Sequence, residues 1–249
     1  MAKRPIHRLI DGGTMPEYDD LADESVISIF NGQEVVVRIL ATPQNLEDLA
    51  VGHILCEGRG NVDSVIVNGA EITVVGDVLP RPTNDLLTAA CGACTVGEIQ
   101  SPDKTVSRTQ FLGADFKEMM SNMKQNQPIF DSTGGVHAAA IFNQTGECIV
   151  TREDIGRHNA FDKAVGASIR MKIEPKIIGL SGRVGWELVA KAVRSNIEII
   201  LAIGAISSAA EALARNAGIT LVGFASRENP VLVGQLSRII DKQTATRTV

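Results

Sequence analysis

Ile177-Ile178-Gly179-Leu180, Ile197-Glu198-Ile199-Ile200-Leu201-Ala202-Ile203 and Ile219-Thr220-Leu221-Val222-Gly223-Phe224 decide the fold. Each run is apolar almost throughout instead of alternating, the pattern of a strand buried on both faces. Roughly Gly185–Ser195 and Ser208–Ala217 read as the helices between them. Ser208 with Glu211 has the spacing of a capping box, and Gly218 is a natural stop. Two β-α-β steps in succession predict a layered α/β/α domain with parallel strands.

Toward the N-terminus the pattern changes. Val136–Phe142 and Glu147–Thr151 read as paired strands around Asn143–Gly146. A helix is expected from about Asp154, with Phe161, Ala164, Val165 and Ile169 on its apolar side. A shorter helix puts Phe116, Met119, Met120 and Met123 on one face, and that spacing makes them core residues. Earlier still, Ser25–Phe30 and Glu34–Leu40 flank Asn31-Gly32-Gln33, and Val65–Val67 and Ile72–Val75 flank Asn68-Gly69; both read as hairpins. Between them a helix from about Asn45 carries Leu46, Leu49, Ala50, His53 and Ile54 and should stop near Gly58. The expected organisation is a small α+β unit over residues 20–85, a mobile cysteine loop and linker over 86–110, and an α/β/α catalytic domain over 111–240.

Composition narrows the function classes. The 249 residues are enough for one large domain or a main domain with a smaller one. Hydrophobic content of 44% with only 4% aromatics makes the core aliphatic. A formal charge of −5 argues against nonspecific nucleic-acid binding. No run of roughly 18 apolar residues is present, so no membrane span is expected. Met1-Ala2-Lys3-Arg4-Pro5 has no apolar stretch behind it, so no secretory signal is expected either. Four cysteines in this length do not make a disulfide framework, and a reducing cytoplasm fits best.

Cys91-Gly92-Ala93-Cys94 lies among small residues, Leu86-Leu87-Thr88-Ala89-Ala90 before it and Thr95-Val96-Gly97 after it. A C-x-x-C there serves as half of a tetrahedral metal site, as a redox dithiol, or as a sulfur carrier with a nucleophilic and an assisting thiol. A structural zinc site needs two more ligands, and the chain has no second C-x-x-C. A zinc deaminase needs H-x-E upstream of P-C-x-x-C, but Ala90 precedes Cys91, and His7 and His53 are followed two residues on by Leu9 and Leu55. Ala90 also replaces the aromatic expected before a thioredoxin-type pair. Cys56 and Cys148 read as buried core residues.

Polar chemistry gathers in Ser132-Thr133-Gly134-Gly135-Val136-His137 and in Thr151-Arg152-Glu153-Asp154-Ile155-Gly156-Arg157-His158-Asn159. The second stretch falls at a strand-to-helix junction, where open α/β sheets place ligands. It also reads as a plain helix start capped by Asp154. In the ligand reading Arg152 and Arg157 neutralise phosphates, and His137 and His158 move protons.

Several of these segments resemble one family. Thr133–Ala140, Arg152–Ala160 and Ser181-Gly182-Arg183, with Leu49-Ala50-Val51-Gly52-His53-Ile54-Leu55, Ser207-Ser208 and Thr220–Phe224, are similar to the FdhD/NarQ formate dehydrogenase accessory sulfurtransferases. The resemblance runs in order across the chain. It departs at Thr95, where glycine is usual, at Gly185-Trp186-Glu187, and after Phe224, where the ending is shorter and lacks a tyrosine.

The resemblance implies a three-layer, cytidine-deaminase-like catalytic domain. It also implies a sulfur relay: a persulfide taken from a cysteine desulfurase passes to the molybdenum (or tungsten) bis-guanine-dinucleotide cofactor, the bound acceptor that matures formate dehydrogenase. By position Cys91 matches the persulfide-forming cysteine and Cys94 its less essential neighbour. The Phe224-Ala225-Ser226-Arg227-Glu228-Asn229 turn matches a cofactor-binding segment. There Phe224 offers a flat surface to a guanine, Ser226 and Asn229 its edge contacts and Arg227 a charge for pyrophosphate, with Ser181 and Arg183 adding a phosphate contact. The family also suggests a homodimer, and by the ligand count above no structural metal is expected. The competing reading is a noncatalytic chaperone that delivers the same cofactor to formate dehydrogenase without using Cys91.

Overall fold

The computed structural model of the chain describes residues 2–79, 102–107, 109, 111–112 and 115–240. Cys91 and Cys94, and most of the segment expected as a loop and linker, lie outside the described residues.

The chain opens on a separate antiparallel ribbon, β1 (Ala2–Ile10) and β2 (Gly13–Leu21). Asp11 and Gly12 both have positive φ, the backbone that a tight two-residue hairpin turn requires. Asp11-Gly12 marks the turn, but most residues of the ribbon are exposed and no apolar face marks its strands.

A four-stranded sheet follows, from β3 (Ser25–Asn31), β4 (Glu34–Ala41), β5 (Ser64–Asn68) and β6 (Glu71–Val75), ordered β4-β3-β6-β5. Both hairpins turn where expected, with Gly32 and Gly69 at positive φ. The helix α1 (Leu46–Cys56) packs Leu46, Leu49, Ala50 and Ile54 onto Ile27, Ile29, Ile39, Ile72 and Val74 of this sheet.

The rest of the chain builds the larger layered unit. After β7 (Phe111–Leu112) comes α2 (Phe116–Lys124), whose cap is Asp115 accepting the Glu118 N–H at 3.0 Å. A short helix, α3 (Pro128–Thr133), then leads into β8 (His137–Phe142) and β9 (Cys148–Asp154). Beyond them α4 (Arg157–Arg170), β10 (Ile177–Leu180), α5 (Trp186–Arg194), β11 (Ile199–Ala202), α6 (Ser208–Ala217) and β12 (Thr220–Gly223) alternate as expected. The described chain ends with β13 (Val231–Gly234) and β14 (Ile239–Ile240), which pairs with β7.

Six strands form one sheet in the order β13-β12-β11-β10-β8-β9, with β10, β11 and β12 parallel. Side chains alternate across it. Ala139, Ile141, Ile178, Ile200 and Leu221 pack with Phe161, Leu188 and Leu213 of α4, α5 and α6, while Ala140, Phe142, Ile177 and Leu201 pack with Met119, Met120 and Met123 of α2. Helices therefore cover both faces, and the methionines are core.

Three expectations change. The ladder between β8 and β9 continues to the His137–Asp154 pair, so α4 starts at Arg157 and not near Asp154. Ser207, not Ser208, caps α6 by accepting the Ala210 N–H at 3.2 Å, and Glu211 pairs with Arg215 one turn on. Cys56 is fully buried, but Cys148 lies on the edge strand β9, is half-buried, and touches the Thr151 hydroxyl at 3.4 Å.

Buried ion pairs join the parts. Glu198, at the start of the β11 run, accepts from Thr109 N at 2.7 Å, Thr109 Oγ1 at 2.8 Å and Arg238 Nη1 at 2.7 Å, so it ties the segment before α2 to the end of the described chain. Asp48 of α1 receives Arg152 Nε at 2.7 Å and Arg170 at 2.5 Å, which fastens the small unit to the large one.

Candidate functional site

The strand directions bring most of the predicted residues to one edge of the six-stranded sheet. The chain leaves the sheet there from β9, β10, β11 and β12 and enters it at β8. Open α/β sheets bind ligands at such an edge, because every strand ends in a connection free to carry side chains. His137 begins β8, Arg157 and His158 open α4, Ser181-Gly182-Arg183 follows β10, and Phe224–Asn229 follows β12. Backbone bonds stitch the connections together: Gly204 N–H to Gly182 O at 3.0 Å, Val184 N–H to Ala205 O at 3.0 Å, and Phe224 N–H to Gly204 O at 3.1 Å.

Gly204 allows this close approach: a Cβ there would fall 2.8 Å from Arg183 Cγ and 3.0 Å from the Gly182 carbonyl oxygen. A Cβ on Gly182 would make ordinary contact with the His137 ring at 3.6 Å.

His137 is half-buried, and its Nδ1 lies 3.4 Å from Ser181 Oγ, which also accepts the Ala138 N–H at 2.9 Å. Burial lowers its pKa, and Arg157 and His158 lower it further, with Asp154 opposing them. The ring is thus held toward its neutral form, able to accept a proton.

Asp154 organises the junction. Its buried carboxylate accepts from Gly156 N at 2.8 Å, Asn159 Nδ2 at 3.0 Å and Thr42 N at 3.0 Å, and meets Lys163 Nζ at 2.6 Å. Burial pushes the Lys163 ammonium pKa down, against the pull of Asp154. Among the described residues no side chain caps α4, and an uncapped helix start is a place where N–H groups can meet an anion. Glu153 does cap a helix: it accepts the N–H groups of Ile129 at 2.9 Å and Phe130 at 2.8 Å and fixes α3 ahead of His137.

Arg152 is not part of this edge. Its guanidinium is bonded to Asp48 and to the Thr151 carbonyl, so it fastens α1 instead of meeting a phosphate. Arg157 and Arg183 form no ion pair among the described residues. Arg227 lies 4.1 Å above the Phe224 ring centroid, and Glu228 reaches Lys117 at 3.7 Å. Ala225 is buried, with its N–H on the Ala202 carbonyl at 2.8 Å, whereas Ser226 and Asn229 are exposed.

Sequence reasoning missed Glu187, which meets His158 at 2.7 Å, and the buried group around Lys191. His53, Glu57 and Asp162 hold their ligand-type atoms within 4.8 Å of one another, a spacing that suits a metal ion. Lys191 Nζ instead supplies the positive charge there, 2.5 Å from Glu57 and 2.8 and 2.9 Å from the two Asp162 oxygens. Burial opposes both charges, yet the pairing holds the Glu57 carboxyl well below its usual range and the Lys191 ammonium above its own. Only long-range contacts make these pairs, so no local spacing announces them.

A profile of the FdhD/NarQ family matches residues 22–240. The chain belongs to the FdhD/NarQ family. Curated FdhD/NarQ relatives named sulfur carrier protein FdhD, from Sulfolobus acidocaldarius and Nocardia farcinica, are each 32% identical to it. The first aligns over 89% of this chain and 92% of its own length, the second over 99% and 98%. The FdhD/NarQ fold is also that of a solved structure from Desulfotalea psychrophila, assigned as a formate dehydrogenase accessory protein. That structure has a TM-score of 0.78 and 22% identity, and the match covers 96% of this chain and 99% of the other. Among the described residues no helix is long and apolar enough to cross a membrane.

Proposed function

We propose that this protein is a sulfur carrier for the maturation of formate dehydrogenase. It takes sulfane sulfur from a cysteine desulfurase as a persulfide on Cys91 and passes it to the molybdenum (or tungsten) bis-guanine-dinucleotide cofactor. The observation that carries the reading is the positive edge. Among the described residues Arg157 and Arg183 form no ion pair, and they stand beside His137 and the start of α4. Curated relatives along nearly the whole chain bear the sulfur-carrier name.

The chemistry suits the edge. An ordinary cysteine with a pKa of about 8.5 is only a few per cent thiolate at neutral pH, and a positive surround favours the anion. The same charge neutralises pyrophosphate, and free N–H groups at a helix start hold phosphate oxygens. A neutral His137 accepts a proton as a sulfur anion forms.

Mass spectrometry after incubation with a cysteine desulfurase and cysteine tests the proposal. The intact chain should gain one sulfur mass, removable by a thiol reductant, and Cys91→Ser should abolish both the adduct and in-cell activation of formate dehydrogenase. Cys94→Ala should keep the adduct. A Cys91→Ser chain that still activates the enzyme would establish cofactor delivery without sulfur carriage.

A further inference from the structure

The sheet of the small unit is covered by α1 on one face only. The side chains that meet the helix include Ile27, Ile29, Ile39, Ile72 and Val74. A sheet with one wet face normally alternates apolar inward and polar outward. Here the outward set is apolar as well. Val26, Val35, Leu40, Ile66 and Val75 are 43–63% exposed, and Phe30 lies half-buried among them. Single exposed apolar residues are ordinary, but six on one face form a contiguous patch of the kind that marks an interaction site.

The strand registers arrange this face in rungs. Leu40 lies opposite Val26. Val35 lies opposite Phe30, and Thr73 and Ile66 continue that rung across the sheet. Between the two apolar rungs Arg38, Ser28, Glu71 and Asn68 form a polar one. Arg38 on β4 and Glu71 on β6 therefore flank β3, each one strand away at about 4.8 Å. Among the described residues neither forms an ion pair.

We propose that this face joins a second copy of the chain, packed sheet on sheet about a two-fold axis running along β3. That axis lays β4 of each copy over β6 of the other. Arg38 then meets the partner subunit's Glu71, and the same contact recurs on the other side of the axis. Val26, Ser28 and Phe30 lie on the axis, so the apolar rungs close on themselves. Stacked sheets lie about 10 Å apart, a gap that an arginine and a glutamate span together. This self-complementary charge selects a second copy over an unrelated protein. Four strands, roughly 20 Å across and 20 Å long, give a flat footprint on the order of 400 Å² per copy. That is small for a specific interface, so the two copies associate reversibly. The proposal does not depend on the sulfur-carrier reading.

Sedimentation of the full chain over a range of concentrations tests it. The wild type should pass from monomer to dimer as concentration rises. Arg38→Glu alone, or Glu71→Arg alone, sets like charges opposite each other at both contacts and should weaken the dimer about tenfold. Both residues are exposed, so both variants keep the fold. An equal mixture of the two variants restores opposite charges at both contacts and should form a mixed dimer about as tight as that of the wild type. No pairing within one chain predicts that recovery. A wild type that stays monomeric at millimolar concentration would overturn the proposal and leave the face to a different protein. So would a dimer that either variant leaves intact, or a mixture that associates no better than its components.

Discussion

Gly52 of α1 and Gly166 of α4 cross backbone against backbone. A Cβ on Gly52 would fall 2.9 Å from Gly166 N and run into the Asp162 carbonyl, while one on Gly166 would fall 2.8 Å from Gly52 N and run into the Asp48 carbonyl. Both obstacles are main chain, which cannot swing aside. Gly52→Ala or Gly166→Ala should destabilise the chain by about 3 kcal/mol, the upper part of the range for overpacking. Gly185→Ala, with open space around its Cβ, should change stability by less than about 1 kcal/mol. Denaturant unfolding of the three variants measures the difference. Equal stability would mean that the helices do not cross this closely.

The Lys191 ammonium is shared by buried Asp162 and half-buried Glu57. Lys191→Met should leave both carboxylates without that partner and cost about 3–5 kcal/mol, as for other broken buried ion pairs. Glu57 also sets a pH dependence. Its folded pKa lies below the ordinary 4.5, so the unfolded chain binds more protons on the acid side. Its contribution is full above that value and fades as pH falls toward the folded pKa. In Glu57→Gln the acid limb of the stability profile should therefore flatten; a limb of unchanged slope would place the titration elsewhere.

His137 gives the complementary profile. Burial, then Arg157 and His158, lower its pKa below 6.5, so between the folded and unfolded values the unfolded state holds the extra proton. Stability should rise with pH through that window and level off above about 6.5, the ordinary histidine value. Thermal unfolding midpoints from pH 5 to 8 should show this rise in the wild type and a weaker one in His137→Asn. An identical rise in the variant would remove His137 as its source.

How much of this was legible follows from the range of the interactions. Ile177–Leu180 and its two partner runs reveal themselves by composition, because a strand buried on both faces has no room for polar side chains. Asn68-Gly69 marks its hairpin because its backbone needs positive φ. The ribbon β1–β2 has Asp11-Gly12 at its turn but no apolar face to mark its strands, and β13, whose four residues are exposed or half-buried, has none either. At the site, His137, Arg157, His158 and Arg183 were found because they stand near glycines or at an element boundary. Arg152 looked equivalent to Arg157, yet strand parity turns it to Asp48, 104 positions away in sequence. Glu187 was passed over for the same reason: its partner, His158, lies on another helix.

The last prediction concerns Phe224 and Arg227. Phe224 has φ of +52°, which turns the chain sharply out of β12, and Arg227 N–H closes the turn on the Phe224 carbonyl at 2.9 Å. The guanidinium 4.1 Å above the ring is a cation–π contact that orders the arginine before any ligand arrives. It also covers one face of the ring, so a guanine base must stack on the guanidinium or on the opposite face. If this turn receives the guanine end of the cofactor, GDP should bind weakly and better than ADP, because Ser226 and Asn229 present hydrogen-bonding groups to the base edge. Arg227→Ala should weaken binding several-fold, through loss of about 1 kcal/mol of stacking and phosphate charge. Phe224→Leu should weaken it too, by loosening the arginine. Arg183→Ala should reduce affinity for GDP and ADP alike, since phosphate is common to both. Calorimetry at low salt measures all four proteins. GDP and ADP binding equally, or Arg227→Ala binding GDP as tightly as the wild type, would remove the guanine from this turn and leave the arginines as a general phosphate contact.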